Sequence, residues 1–177
     1  MKTEKVAIGN LREHYDRFID ILDDFIFRTG IREKNAFRFT LLAEEAVRLA
    51  ESIVGSGEYV DIWLEGDSDT AYIYLNTDQK LDTDQQEEFI SVSSSGKNEA
   101  PRTFFDYIRE KFEKPEKSTW SLKEYEEDLK AKKSEDTYSQ EAWDNLERSV
   151  LARLSDEITV SAKNGNMTMQ IRKSFGH

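Results

Sequence analysis

Between Asn35 and Asp78 the chain passes from a long helical pattern, through Gly55-Ser56-Gly57, into two short alternating runs. No other stretch narrows the fold so far. Phe39, Leu42, Ala46, Leu49, Ala50 and Ile53 recur at three- and four-residue intervals, which stacks them on one side of a helix over 35–54. Glu45 falls between Leu42 and Leu49 on that stripe, so a carboxylate is expected where apolar groups are being buried. A buried carboxylate is costly unless it is paired, hydrogen-bonded, protonated or used. Glu45 is therefore the first candidate site residue. Downstream, Val60, Ile62 and Leu64 alternate with Asp61, Trp63 and Glu65. After the polar turn Gly66-Asp67-Ser68-Asp69, Ala71, Ile73 and Leu75 alternate with Tyr72 and Tyr74. The pattern predicts a β-hairpin with one buried face and with Trp63, Tyr72 and Tyr74 sharing the other. Cross-strand packing accounts for those aromatics; a stacking platform for a ligand is the alternative.

On the N-terminal side, Val6 and Ile8 alternate as in an edge strand, and Asn10-Leu11-Arg12-Glu13 has the form of a capping box. Leu11, Tyr15, Phe18, Leu22, Phe25 and Ile26 then make a helical stripe ending at Gly30, a C′ residue. His14 lies beside that stripe as a packing histidine. After the hairpin, Asp82-Thr83-Asp84 caps a short helix around Gln85–Ile90. Ser91–Gly96 is a surface loop, and Pro101 opens a helix bearing Phe104, Phe105, Ile108 and Phe112. Residues 114–140 are dense in Lys, Glu, Asp and Ser and read as a charged, mobile helical insertion. Ser121 and Glu124 are spaced as a capping box there, with Trp120, Leu122, Tyr125 and Leu129 pinning it. A last helix carries Trp143, Leu146, Val150 and Leu154, and Asp156 closes it. Ile158, Val160 and Ala162 then meet Met167, Met169 and Ile171 across Asn164-Gly165, the strongest hairpin signal in the chain. The whole predicts one α+β domain over 1–177, a two-layer sandwich whose mostly antiparallel or mixed sheet has helices packed on one face.

Composition removes several function classes. Cysteine is absent, which excludes disulfides, thiolate metal sites and cysteine nucleophiles together. His14 and His177 are the only histidines, too few for a His-rich metal cluster. The formal net charge of −11 opposes binding to nucleic acid or to an anionic membrane surface. Neither a signal peptide nor a run of ~18 apolar residues is visible. The expectation is a soluble, cytoplasmic protein.

The order of these elements resembles the Bergerat-fold, histidine-kinase-like ATPase domain (GHKL) shared by histidine kinases, gyrase-type ATPases and anti-sigma factor serine kinases; the last are nearest in size. Leu41-Leu42-Ala43-Glu44-Glu45-Ala46-Val47 resembles the family's first motif helix, Val60–Leu75 the following hairpin, and Leu146–Phe175 the closing helix and hairpin. In that family a glutamate orients the attacking water or hydroxyl, and an asparagine four residues later holds Mg²⁺ on the triphosphate. By position Glu45 takes the catalytic role, but Leu49 takes the asparagine's place, and hydrocarbon offers no oxygen to a hard cation. The family's adenine-binding aspartate corresponds to Asp78, or to Thr77 one residue off, without the glycines that follow it. The glycine-rich phosphate lid has no counterpart in Asn145–Val150.

The resemblance and its departures together imply a pseudo-ATPase: a regulatory protein of bacterial signalling that binds a protein partner or small ligand. The acidic arm and the aromatic face of the hairpin are its candidate contact surfaces. The alternative is an active ATP-binding serine kinase of the anti-sigma type. There Glu45 is the base, Asp78 and Thr77 contact the nucleotide, ATP and magnesium are the cofactors, and no regular metal ligand is assigned.

Overall fold

The structure, a computed structural model, describes residues 1–9, 12–53, 59–77, 119–132, 150–163 and 166–176. Strand β1 (Val6–Ile8) leads into helix α1 (Arg12–Thr29) and helix α2 (Glu33–Ile53). Strands β2 (Val60–Gly66) and β3 (Thr70–Thr77) form the first hairpin. Strand β4 (Thr119–Ser121) runs directly into helix α3 (Leu122–Lys132). Helix α4 (Val150–Leu154) precedes strands β5 (Glu157–Lys163) and β6 (Asn166–Ser174). The six strands form one sheet in the order β1-β2-β3-β6-β5-β4, and every pairing in it is antiparallel. The architecture is α+β.

Strand alternation decides which side of the sheet is dry. Register sets Ile62 opposite Leu75 and Leu64 opposite Ile73. Ile73 in turn faces Ile171, and Leu75 faces Met169. On the next strand Ile158 meets Ile171 and Val160 meets Met169. These side chains, with Val6 and Ile8 of β1, are buried in one cluster with Phe18, Leu22 and Phe25 of α1 and Phe39, Leu42, Ala46 and Leu49 of α2. Helices α1 and α2 thus lie against one face of β1, β2 and β3. Phe39 joins the layers, its ring 5.9 Å from Phe25 and 5.7 Å edge-on from Phe175. Burying a side chain of this size contributes about 1.5–3 kcal/mol.

Helix α1 ends as its sequence indicates. Gly30 adopts φ 71° and donates its amide to the Ile26 carbonyl at 3.2 Å, while the Thr29 hydroxyl bonds the Phe25 carbonyl at 2.7 Å. The hairpin turn is fixed by Asp67, whose Oδ1 accepts the amides of Asp69 at 2.9 Å and Thr70 at 3.0 Å. Those two bonds hold the Asp67 carboxyl below its ordinary range.

Three expectations are corrected. The segment read as a peripheral helical arm holds the expected helix, α3, but also supplies a strand, with Trp120 paired to Val160, and Leu122 enters the core. The cap is as expected, Ser121 Oγ accepting the Glu124 amide at 3.3 Å. Val150, assigned to a packed stripe, is exposed; Leu151, Ala152 and Leu154 make the contact with the core. The third concerns Glu45. Several expectations lie outside the described residues: the Asn10 cap, the Gly55-Ser56-Gly57 break, the elements read between Asp82 and Phe112, Trp143, Leu146 and the Asn164-Gly165 turn. The Lys163–Asn166 pair brackets that turn in register.

Candidate functional site

Helix α2 positions Glu45 at the flank of its buried stripe. At 100° per residue, Glu45 lies about 100° around the helix from Ala46, roughly 40° beyond the edge marked by Leu49. Its side chain is accordingly 21% exposed, and Arg48 Nη1 donates to Glu45 Oε1 at 2.7 Å. The expectation of a carboxylate enclosed by apolar groups is thus corrected to a half-buried ion pair on the helix edge. One turn further, Leu49 is 5% exposed and packs within the core with Ala46 and Ala50. The neighbouring Glu44 lies close to Tyr15 of α1. Burial first, and then the Glu44 charge, push the Tyr15 phenol up.

The remaining nucleotide candidates are not brought to Glu45 by anything described. Thr77 ends β3 opposite Met167 of β6, while Asp78 lies outside the described residues. Among the described residues no group of three or more acidic or histidine side chains is placed to hold a metal ion, and no helix is long and apolar enough to cross a membrane. His14 is a packing residue: its Nδ1 accepts the Gly9 amide at 3.2 Å, and its ring meets Tyr59 edge-on at 5.7 Å.

The second candidate surface is the sheet face turned away from α1 and α2. Trp63 of β2 stacks on Tyr74 of β3 with centroids 4.9 Å apart and planes 6° from parallel, and Tyr72 follows at 6.1 Å. Lys5 Nζ stands 4.7 Å from the Trp63 centroid and 3.3 Å from Asp61 Oδ2. Trp63 Nε1 donates to Glu65 Oε1 at 2.9 Å, and Lys2 pairs with the same oxygen at 2.7 Å. The Lys2 bond foremost, and then the indole, hold the Glu65 carboxyl low. Burial, reinforced by Glu65, raises the Tyr74 phenol. Along β6 the row continues with Gln170 opposite Tyr74 and Arg172 opposite Tyr72, Arg172 pairing with Glu157 at 3.2 Å. The Asn76 Oδ1 atom on this face is shielded from solvent without a hydrogen bond. With Trp63 only 8% exposed and its rings stacked on one another, the row serves cross-strand packing. A flat ligand would have to displace Lys5.

Periodicity did not reveal the Arg48 clamp, although the i, i+3 spacing of Glu45 and Arg48 carries that signal. The lysine over Trp63 depends on β1 pairing with β2 across more than fifty residues, which has no local signature. Comparison of the chain with protein-family models, with curated proteins and with solved structures finds no match.

Proposed function

We propose that this chain is a binding protein of regulatory type, built on a degenerate histidine-kinase-like scaffold and without Mg·ATP chemistry. It engages a protein partner. The observation that carries this reading is Leu49, 5% exposed and packed among core residues one turn beyond Glu45. At that place the resemblance calls for an oxygen ligand to magnesium, and a side chain there cannot both fill the core and coordinate a hard cation. The pairing of Glu45 with Arg48 supports the same reading. A carboxylate already bonded to a guanidinium must give up a charge-assisted bond before it accepts a substrate proton.

Thermal unfolding with and without nucleotide tests the proposal. A ligand present at 100 times its Kd stabilises the folded state by about 2.7 kcal/mol, a shift of several degrees. The expected result is an unchanged midpoint with millimolar ATP, ADP or Mg²⁺, alone or combined. A magnesium-dependent rise with ATP contradicts the proposal and favours the serine kinase reading.

A further inference from the structure

Helix α1 shows solvent an outward ridge that its packing does not require. Phe18, Leu22 and Phe25 are fully buried on the inward side. Diametrically opposite them run Glu13, Asp16, Asp20, Asp23 and Phe27, at intervals of three or four residues, all exposed. The ring of Phe27 is 85% exposed, and that of Phe37, on the outward side of α2 near the same end of the helix pair, is 67% exposed. Like charges at these spacings oppose helix formation. Among the described residues no ion pair offsets the four carboxylates. Arg17 is turned to Glu4 at 2.9 Å, Arg28 to Asp24 at 2.8 Å, and Arg12 stands at the first residue of the helix.

From this ridge we infer that α1 docks a cationic amphipathic helix of a partner protein, with lysines or arginines along the four carboxylates and an apolar side chain against Phe27. Charge complementarity selects the occupant. A second copy would bring four carboxylates against four, and an anionic membrane would be repelled in the same way. The ridge spans about 15 residues, roughly 21 Å from first to last, which a partner helix of four turns covers. Apolar contact at one end of the charged row fixes direction and register, which charge alone does not supply. The inference takes from the proposed function only that the partner is a protein.

The probe is a synthetic helical peptide of about 15 residues, with lysines at three- and four-residue intervals and one leucine ending the lysine face. Fluorescence anisotropy at low salt reads its binding. Replacing Asp16, Asp20 and Asp23 by Asn is expected to weaken binding about tenfold or more, and Phe27→Ala to weaken it severalfold. Removing three charges elsewhere, by Glu124→Gln, Glu126→Gln and Glu127→Gln on α3, is expected to leave it nearly unchanged. Because the Asp→Asn set relieves repulsion, that variant is expected to stay folded, as circular dichroism reads. Equal loss in the α3 set, or no loss with Phe27→Ala, reduces the effect to net charge and overturns the inference. So does absence of binding by the unaltered chain. Nucleotide binding alongside ridge-dependent peptide binding would overturn the pseudo-ATPase reading alone.

Discussion

Leu49 and Asp156 show how much a single side chain decides. Hydrocarbon at position 49 makes α2 a core helix along its whole inward side, and the same atoms deny that side a metal ligand. Asp156 ties the end of α4 to β6. It accepts the Lys173 ammonium at 3.0 Å and the Ser174 amide, while its own amide bonds the Arg172 carbonyl at 2.9 Å. Burial alone would raise this carboxyl; the Ser174 amide and Lys173 together outweigh it and hold it below its ordinary value. A folded-state value below the unfolded one, about 3.9, adds stability that is present above that pH and lost as pH falls through the folded value. Asp156→Asn is therefore expected to lower the urea midpoint by a constant amount at neutral pH, with the gap to the unaltered protein closing below about pH 4. A gap of the same size at about pH 3 would show that Asp156 acts through shape and not through charge.

Among the elements, the β2–β3 hairpin is the most sharply specified. Gly66 has φ 149°, and a Cβ placed there would stand 2.3 Å from the Thr70 carbonyl oxygen. Gly66→Ala is thus expected to cost more than about 1 kcal/mol in chemical denaturation. A loss within a few tenths would mean that the turn relaxes freely. This hairpin was legible because Val60, Ile62 and Leu64 alternate strictly against Asp61, Trp63 and Glu65, and because Asp67 offers turn chemistry. The stripes of α1 and α2 were legible for the same reason, each rule acting within a few residues. Strand β4 was not. Thr119-Trp120-Ser121 sits in a polar segment, and only the ladder to β5, some forty residues downstream, makes it a strand. Glu45 was misjudged because three- and four-residue intervals place a residue only to within a fraction of a turn. That is wide enough to confuse the edge of a buried stripe with its centre.

At the scale of the molecule, two local hairpins join antiparallel through β3 and β6. Strands from distant parts of the chain, β1 and β4, close the two edges. Sequence pattern supplied every strand but β4 and the side each buries, but not this order, which is set by packing between remote segments. The sheet and its helices bury one continuous core that includes Leu49, and the account of function depends on that continuity. Calorimetric titration of ATP into the folded protein, with and without magnesium, tests it most directly. The expected trace is heat of dilution in both arms, because on the proposed reading the place of a metal ligand is taken by the packed side chain of Leu49. A saturable, magnesium-dependent heat of micromolar affinity would contradict the account.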